Sequence, residues 1–250
     1  MSNNSIQRDE LEARSNVFLR SVGAEQGRLG FSDLGMGETT RAHFADALAG
    51  ARGLVLATGP SGSGRTTTMV AATEYIRAQR HKMRNEEGPP GELFVPEIRD
   101  AATAELAIQG VRAGCLVVST LRAHDAASAT TRLLALGMAP DVVSARVRAI
   151  IAQRLVRMAC RHCREEVPVR NATSDATLPR TEWRGAGCAR CGGLGYLGCT
   201  GIFELFVFEP NLGRLSINAR GPTLCEDGFR QVRAGVTTVE EVARAMAVRP

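Results

Sequence analysis

The stretch GLVLATGPSGSGRTT, residues 53–67, decides how the rest of the chain is read. Its first six residues are a short apolar run of the kind that forms a buried strand. The next eight fit the spacing glycine, four residues, glycine, basic residue, hydroxyl. Between a strand and a helix, such a loop turns successive backbone N–H groups toward one anionic centre. The following helix points its positive end at the same place. Thr66 supplies the hydroxyl expected to sit on a Mg2+ ion bound to the phosphates. The candidate nucleotide-binding set is therefore Gly59, Ser61, Gly62, Ser63, Gly64, Arg65, Thr66 and Thr67, with ATP as the expected ligand. Arg65 is a departure, because the pattern has lysine there, a compact point charge, and a guanidinium is broader and planar. Binding is expected to tolerate that exchange better than hydrolysis does. The plain alternative is a glycine-rich turn without a ligand, and the order strand, loop, helix argues against it.

Outward from the loop, a helix is expected from about Thr66 to Gln79, then a polar stretch, RHKMRNEEGPPG, at 80–91. A strand follows at Leu93 to Val95, a helix near Thr103 to Arg112 and a strand, CLVVST, at 115–120. Strands alternating with helices imply an α/β fold whose parallel sheet is covered on both faces. Past Ala126 the apolar spacing reads as helical through Leu136, and again from about Val142 to Leu155. Before the loop, Leu11, Val17, Phe18 and Val22 recur at loosely helical spacing until glycines break the pattern. Beyond Pro210 the chain reads as a loop region, then a helix opened by Thr237 or Thr238 with Glu240 and Glu241 in its first turn. The expected divisions are a helical and loop lead-in at 1–50, a phosphate-loop core at 51–159, a cysteine module at 160–205 and a loop and helix at 206–250.

That module holds two CxxC pairs, Cys160 with Cys163 and Cys188 with Cys191, the spacing of two knuckles presenting four thiolates to a tetrahedral Zn2+ ion. Such zinc is structural, with no open position for catalysis. Cys115, Cys199 and Cys225 fall outside the pattern and read as free thiols. The beginning of the chain, MSNNSIQRDELEARSN, lacks the layout of a signal peptide, and no stretch approaches the roughly eighteen apolar residues of a spanning helix, so a cytoplasmic address is expected. Lysine and arginine outnumber aspartate and glutamate by 31 to 26, but without a dense run, and only 4% of residues are aromatic. A nucleic-acid reader should show a clustered basic face or stacking aromatics, so nucleic acid is a disfavoured partner.

From about Leu34 to Phe206 the sequence resembles the ATPases of type II secretion and type IV pilus assembly. The blocks are GLVLATGPSGSGRTTT, VPEIRDAATAELAIQGVRAGCLVVSTLRAHDA, RLLALG at 132–137, AQRLVRMACRHC at 152–163 and GCARCGGLGYLGCTGIFEL at 187–205. The resemblance implies a RecA-like P-loop NTPase domain with a small tetracysteine zinc module. It also implies a homo-oligomeric, hexameric ring or a co-oligomer with active relatives, working against an assembly platform in the inner membrane and peripheral to it. By the same resemblance Glu97 is the Walker B glutamate and the candidate catalytic residue. The departures fall around it. Pro96 stands where the family has glycine, Arg122 where it has histidine with His124 two residues on, and the acidic box expected between Thr68 and Leu93 is missing along with at least one strand.

Three functions compete on this reading: a nucleotide-binding relative in which hydrolysis is weak or lost, a non-catalytic regulator or cap of a ring of active relatives, and a zinc-stabilised nucleic-acid-binding protein. A decaying copy that folds poorly is the remaining alternative, because a proline is not expected inside a central paired strand.

Overall fold

Short apolar strands with helices between them dominate the computed structural model, which describes residues 29–50, 52–82, 91–169, 179–211 and 214–247. The helix expected over 10–22 lies outside the described residues. In chain order the elements are helix α1 (Glu38–Ala49), β1 (Gly53–Thr58), α2 (Arg65–Lys82), β2 (Glu92–Val95), α3 (Ala101–Arg112), β3 (Leu116–Leu121), α4 (Ala126–Ala135), α5 (Pro140–Arg146) and β4 (Val147–Ala159). There follow β5 (Arg164–Pro168), β6 (Thr181–Gly185), a 3₁₀ turn (Ala189–Cys191), β7 (Tyr196–Asn211), β8 (Arg214–Ala219), α6 (Leu224–Arg233) and α7 (Val239–Ala247).

The main sheet has the order β2-β3-β1-β4-β7-β8, and β5 pairs with β6 in a separate hairpin. β2, β3, β1 and β4 run parallel, whereas β7 is antiparallel to β4 and β8 to β7. Each residue of β1 and β3 is buried, as expected of strands covered on both faces. Alternation along β1 divides the core. Leu54 and Leu56 pack with Ile108, Val111, Leu133 and Ile150 on one side, while Val55 and Ala57 pack with Phe44, Met69, Ile76 and Phe203 on the other.

Two readings of the sequence are corrected here. The stretch from Val142 to Leu155 is not one helix: α5 ends at Arg146, and residues 147–159 form β4, hydrogen-bonded to β1 on one side and β7 on the other. In VRAIIAQRLV the branched residues suit a pleated, doubly buried strand, and eight of the first ten positions are buried. The segment after Pro210 is also more than a loop, because it holds β8 and α6. Pro96 falls one residue past the end of β2, and β2 is the edge strand among the described residues, so the proline interrupts no ladder. Its carbonyl accepts from Thr120 Oγ1 at 2.7 Å, and Ile98 N–H donates to Thr120 O at 2.9 Å, which fastens the next turn to β3.

Candidate functional site

Residues 59–64 leave the C-terminal end of β1 and feed directly into α2, placing the glycine-rich loop at the carboxyl edge of the parallel strands. Ligands of open α/β sheets bind at this edge. Gly59, Gly62 and Gly64 have φ of 153°, 75° and 84°, values that side-chain-bearing residues rarely adopt. At Gly59 a Cβ would also lie 2.5 Å from Gln153 O and 2.6 Å from Ser63 Oγ, so backbone from β4 closes on the loop. At Gly62 a Cβ would meet nothing within 4 Å, which leaves the outer side of the loop open. Gln153, 1% exposed in β4, donates from Nε2 to Ser63 O at 2.6 Å and straps the loop to the sheet.

Ser61 and Gly62 are exposed, Ser63 is buried, and Gly64, Arg65, Thr66 and Thr67 are half-buried at the start of α2. Several buried polar atoms here have no partner: Ser63 Oγ, Arg65 Nη1, Gln153 Oε1 and Arg154 Nε. Leaving such groups unpaired costs free energy, so their clustering marks a place shaped for a polar ligand. Over the outer side of the loop lies a cleft of about 200 Å3 lined by Pro60, Ser61, Gly62, Ser63, Arg154, Leu155, Arg244 and Ala245.

Glu97, just beyond β2, reaches the same region. Its Oε1 accepts from Arg122 Nε at 3.0 Å and lies 3.8 Å from Arg65 Nη2. Burial lowers the proton affinity of Arg65, Glu97 opposes that effect and Arg122 adds to it. The guanidinium stays charged throughout the working range of pH. His124, two residues beyond Arg122, donates through its backbone N–H to Ser128 Oγ at 3.1 Å, and its ring Nδ1 lies 3.8 Å from Asp125 Oδ2. In this fold Mg2+ takes the loop hydroxyl and a nearby acid. Thr66 would offer the hydroxyl, but the carboxylate of Glu97 is engaged by two guanidinium groups, and the residues present do not fit that second role.

Arg154 was visible only as part of a sequence block. Located in β4 and 1% exposed, it donates from Nη1 to Gln153 O at 3.0 Å and from Nη2 to His124 O at 3.2 Å. Burial lowers its proton affinity, and Asp125 and Glu204 oppose that. Nothing in the sequence flags it, because arginine in a strand is ordinarily exposed. Arg244, exposed on α7, lines the same cleft only because α7 packs beside the loop, which its place in the sequence does not reveal.

The second cluster is the four cysteines. The Sγ atoms of Cys160, Cys163, Cys188 and Cys191 all lie within 4.8 Å of one another. The separations are 3.9 Å for Cys160 to Cys188, 3.9 Å for Cys163 to Cys191 and 3.8 Å for Cys188 to Cys191. A tetrahedral ion at about 2.3 Å from each sulfur would set them about 3.8 Å apart, so the residues fit zinc. The N–H of Cys188 points at Cys191 Sγ at 3.2 Å and that of Gly195 at 3.3 Å, donors that favour the thiolate form of that sulfur. The Cys188 N–H leads in lowering the Cys191 thiol to about 6, while burial leads in pushing Cys163 up to about 12.

Among the described residues no helix is long and apolar enough to cross a membrane. Comparison with solved structures places the fold beside the Legionella pneumophila ATPase DotB, at TM-score 0.54 and 16% identity over 88% of this chain and 65% of that one. The pilus retraction motor PilT with bound ADP gives 0.55 and 19% over 88% and 67%. Among curated proteins, type II secretion system protein E of Pseudomonas aeruginosa is 34% identical over 91% of this chain and 55% of its own length. The type II secretion system ATPase E of Vibrio cholerae is 30% identical over the same shares, and the type IV pilus assembly ATPase PilB of Thermus thermophilus is 30% identical over 84% and 30%. The chain thus spans about half the length of the secretion relatives it matches. The Pseudomonas alignment runs over 277 positions while taking in 91% of a 250-residue chain, so part of the relative has no counterpart here. The family model described as Type II/IV secretion system protein matches in two stretches, 11–93 and 80–244. With its fold, its sequence blocks and both stretches in agreement, this chain belongs to the type II/IV secretion system protein family.

Proposed function

We propose that the protein is a nucleotide-holding member of this family in which hydrolysis is weak or lost. Membership implies ATP and Mg2+ as ligands. The observation that supports holding is the group of buried, unpartnered polar atoms at the phosphate loop, Ser63 Oγ and Arg65 Nη1 among them. The triphosphate would lie along Gly59 to Thr67, with backbone N–H groups and the start of α2 facing its charge.

Weak hydrolysis follows from what surrounds that charge. Glu97 is the candidate catalytic carboxylate, and its Oε1 is engaged by two guanidiniums instead of standing open to an attacking water. Only eight residues, 83–90, separate the end of α2 from the described chain before β2, and the two stretches of the family match meet there. That supports the loss of the acidic box and, with it, of a residue to orient the attacking water. The four cysteines would hold one structural zinc ion. Assembly in a ring, alone or as a non-catalytic cap with active relatives, and docking on a secretion or pilus platform at the cytoplasmic side of the inner membrane extend the same proposal.

The test follows Mg2+-ATP binding and phosphate release on one preparation, with Arg65→Lys and Gly64→Ala beside the unmodified chain. Binding without release is expected, with hydrolysis becoming measurable in Arg65→Lys and binding lost in Gly64→Ala. Rapid phosphate release by the unmodified chain, or no binding at all, would overturn the proposal.

A further inference from the structure

We infer that this chain binds the phosphate groups of free nucleotide without needing Mg2+, using Arg65 and Arg122 as a guanidinium pair that Glu97 holds together. The inference rests on the nucleotide-holding reading and concerns how the same site balances charge.

In a phosphate loop the metal bridges phosphate oxygens and neutralises their charge, assisted by one basic side chain. Here the balance differs. Arg122 and Arg65 both face Oε1 of Glu97, at 3.0 Å and 3.8 Å, so two cations share one carboxylate oxygen and leave an excess positive charge at the mouth of the loop. The pair is close enough for Arg122 to depress the proton affinity of Arg65. Arg65 is nine-tenths buried at its side chain, and its Nη1 has no partner. Burying a guanidinium nitrogen away from any acceptor is costly unless an anion completes the arrangement.

Arg122 is 55% exposed at its side chain and contacts Glu97 through Nε, a contact that leaves Nη1 and Nη2 out of the pairing and so able to meet a phosphate. A guanidinium presents parallel donors that match two phosphate oxygens at once, which lysine cannot do. The carboxylate that would assist a metal is already occupied, so Mg2+ entering with the nucleotide must either compete with two arginines for Glu97 or bind without it. The second guanidinium supplies charge that the metal supplies elsewhere. The exchanges at positions 65 and 122 then form one substitution, a metal-centred phosphate site turned into an arginine-centred one.

The experiment measures the dissociation constants of ATP and ADP for the intact chain by calorimetry, in excess Mg2+ and in EDTA with zinc supplied beforehand. Cysteine-bound zinc is assayed after each run, so that loss of the structural metal is not mistaken for an effect of magnesium. The expected result is that removing Mg2+ changes affinity by less than about threefold, and that Arg122→Gln weakens binding in EDTA by about tenfold. Arg122 is exposed, and an unchanged melting temperature of Arg122→Gln checks its fold. Binding in Mg2+ that falls by more than about tenfold in EDTA, with zinc retained, would overturn the inference and leave the nucleotide-holding reading standing. So would an Arg122→Gln variant that binds as tightly as the unmodified chain in EDTA. Absence of binding in both conditions would overturn the nucleotide-holding reading, and the inference with it.

Discussion

At Gly59 one residue is constrained twice, by its φ of 153° and by Gln153 O, which a Cβ would approach to 2.5 Å. Alanine there forces the loop away from β4. Gly59→Ala is expected to cost about 1–3 kcal/mol in denaturant unfolding and to abolish nucleotide binding. Retention of both stability and binding would show that the loop is not held as described. The glycine spacing was legible in sequence because only glycine meets such backbone demands. The role of Gln153 was not, because its hydrogen bond to Ser63 O joins residues 90 positions apart. The same limit hid the coupling of Arg65, Glu97 and Arg122, each of which sequence reading had assessed alone.

Among the elements, α7 shows how a helix end is fixed by partners distant in sequence. Glu182 on β6 accepts from Val239 N–H at 2.7 Å, and Glu241 N–H donates to Thr238 Oγ1 at 3.3 Å. The sequence offered Thr237 or Thr238 as the opening residue, and the helix begins at Val239, just after Thr238. What was not foreseen is that Glu241, 1% exposed, accepts from Arg157 and Arg244 and anchors the helix to β4. Burial works against ionisation of Glu241, but the hydrogen bonds of Arg157 and Arg244 prevail and bring its pKa down to about 2. A depressed carboxylate stabilises the fold fully above its unfolded value and loses that contribution as pH falls toward the folded one. Acid should therefore remove this support between about pH 4.5 and pH 2. Glu241→Gln is expected to be less stable by about 2 kcal/mol near neutral pH, with the difference shrinking across that window. Urea unfolding at several pH values measures it, and a constant difference would contradict the assignment. Helix α6 was legible and overlooked: Thr223 and Glu226 form a capping box, Glu226 N–H donating to Thr223 Oγ1 at 3.3 Å and Thr223 N–H to Glu226 Oε2 at 2.8 Å.

For the whole molecule, the cysteine cluster sits on the longest antiparallel pair. β4 ends at Ala159, next to Cys160, and β7 begins at Tyr196, five residues past Cys191, with Ala159 and Tyr196 facing each other in register. An ion held by the four sulfurs would clamp the ends of two strands that continue into the main sheet beside the phosphate loop. Stripping zinc is therefore expected to lower the melting temperature of the entire chain by about 5 °C or more. Cys188→Ser should reproduce that shift and bind less than one zinc per chain. An unchanged melting temperature after verified metal loss would mean the cluster folds without the ion.

The amino-acid sequence by itself determined whatever depends on neighbours in the chain: the strand, glycine loop and helix at 53–82, the paired CxxC knuckles, and the alternation that calls for a parallel sheet. Local backbone sterics, metal-ligand spacing and hydrophobic period are written over a few residues and need no partner. Tertiary structure alone decided that residues 147–159 are a strand, since a run of branched and alanine residues suits helix or sheet until β1 and β7 supply hydrogen-bond partners on both sides. It also decided that Arg154 is buried and that Glu97 is shared by two arginines. The free energy of a buried charge depends on what folding places around it, and those surroundings come from parts of the chain that no short window of sequence contains.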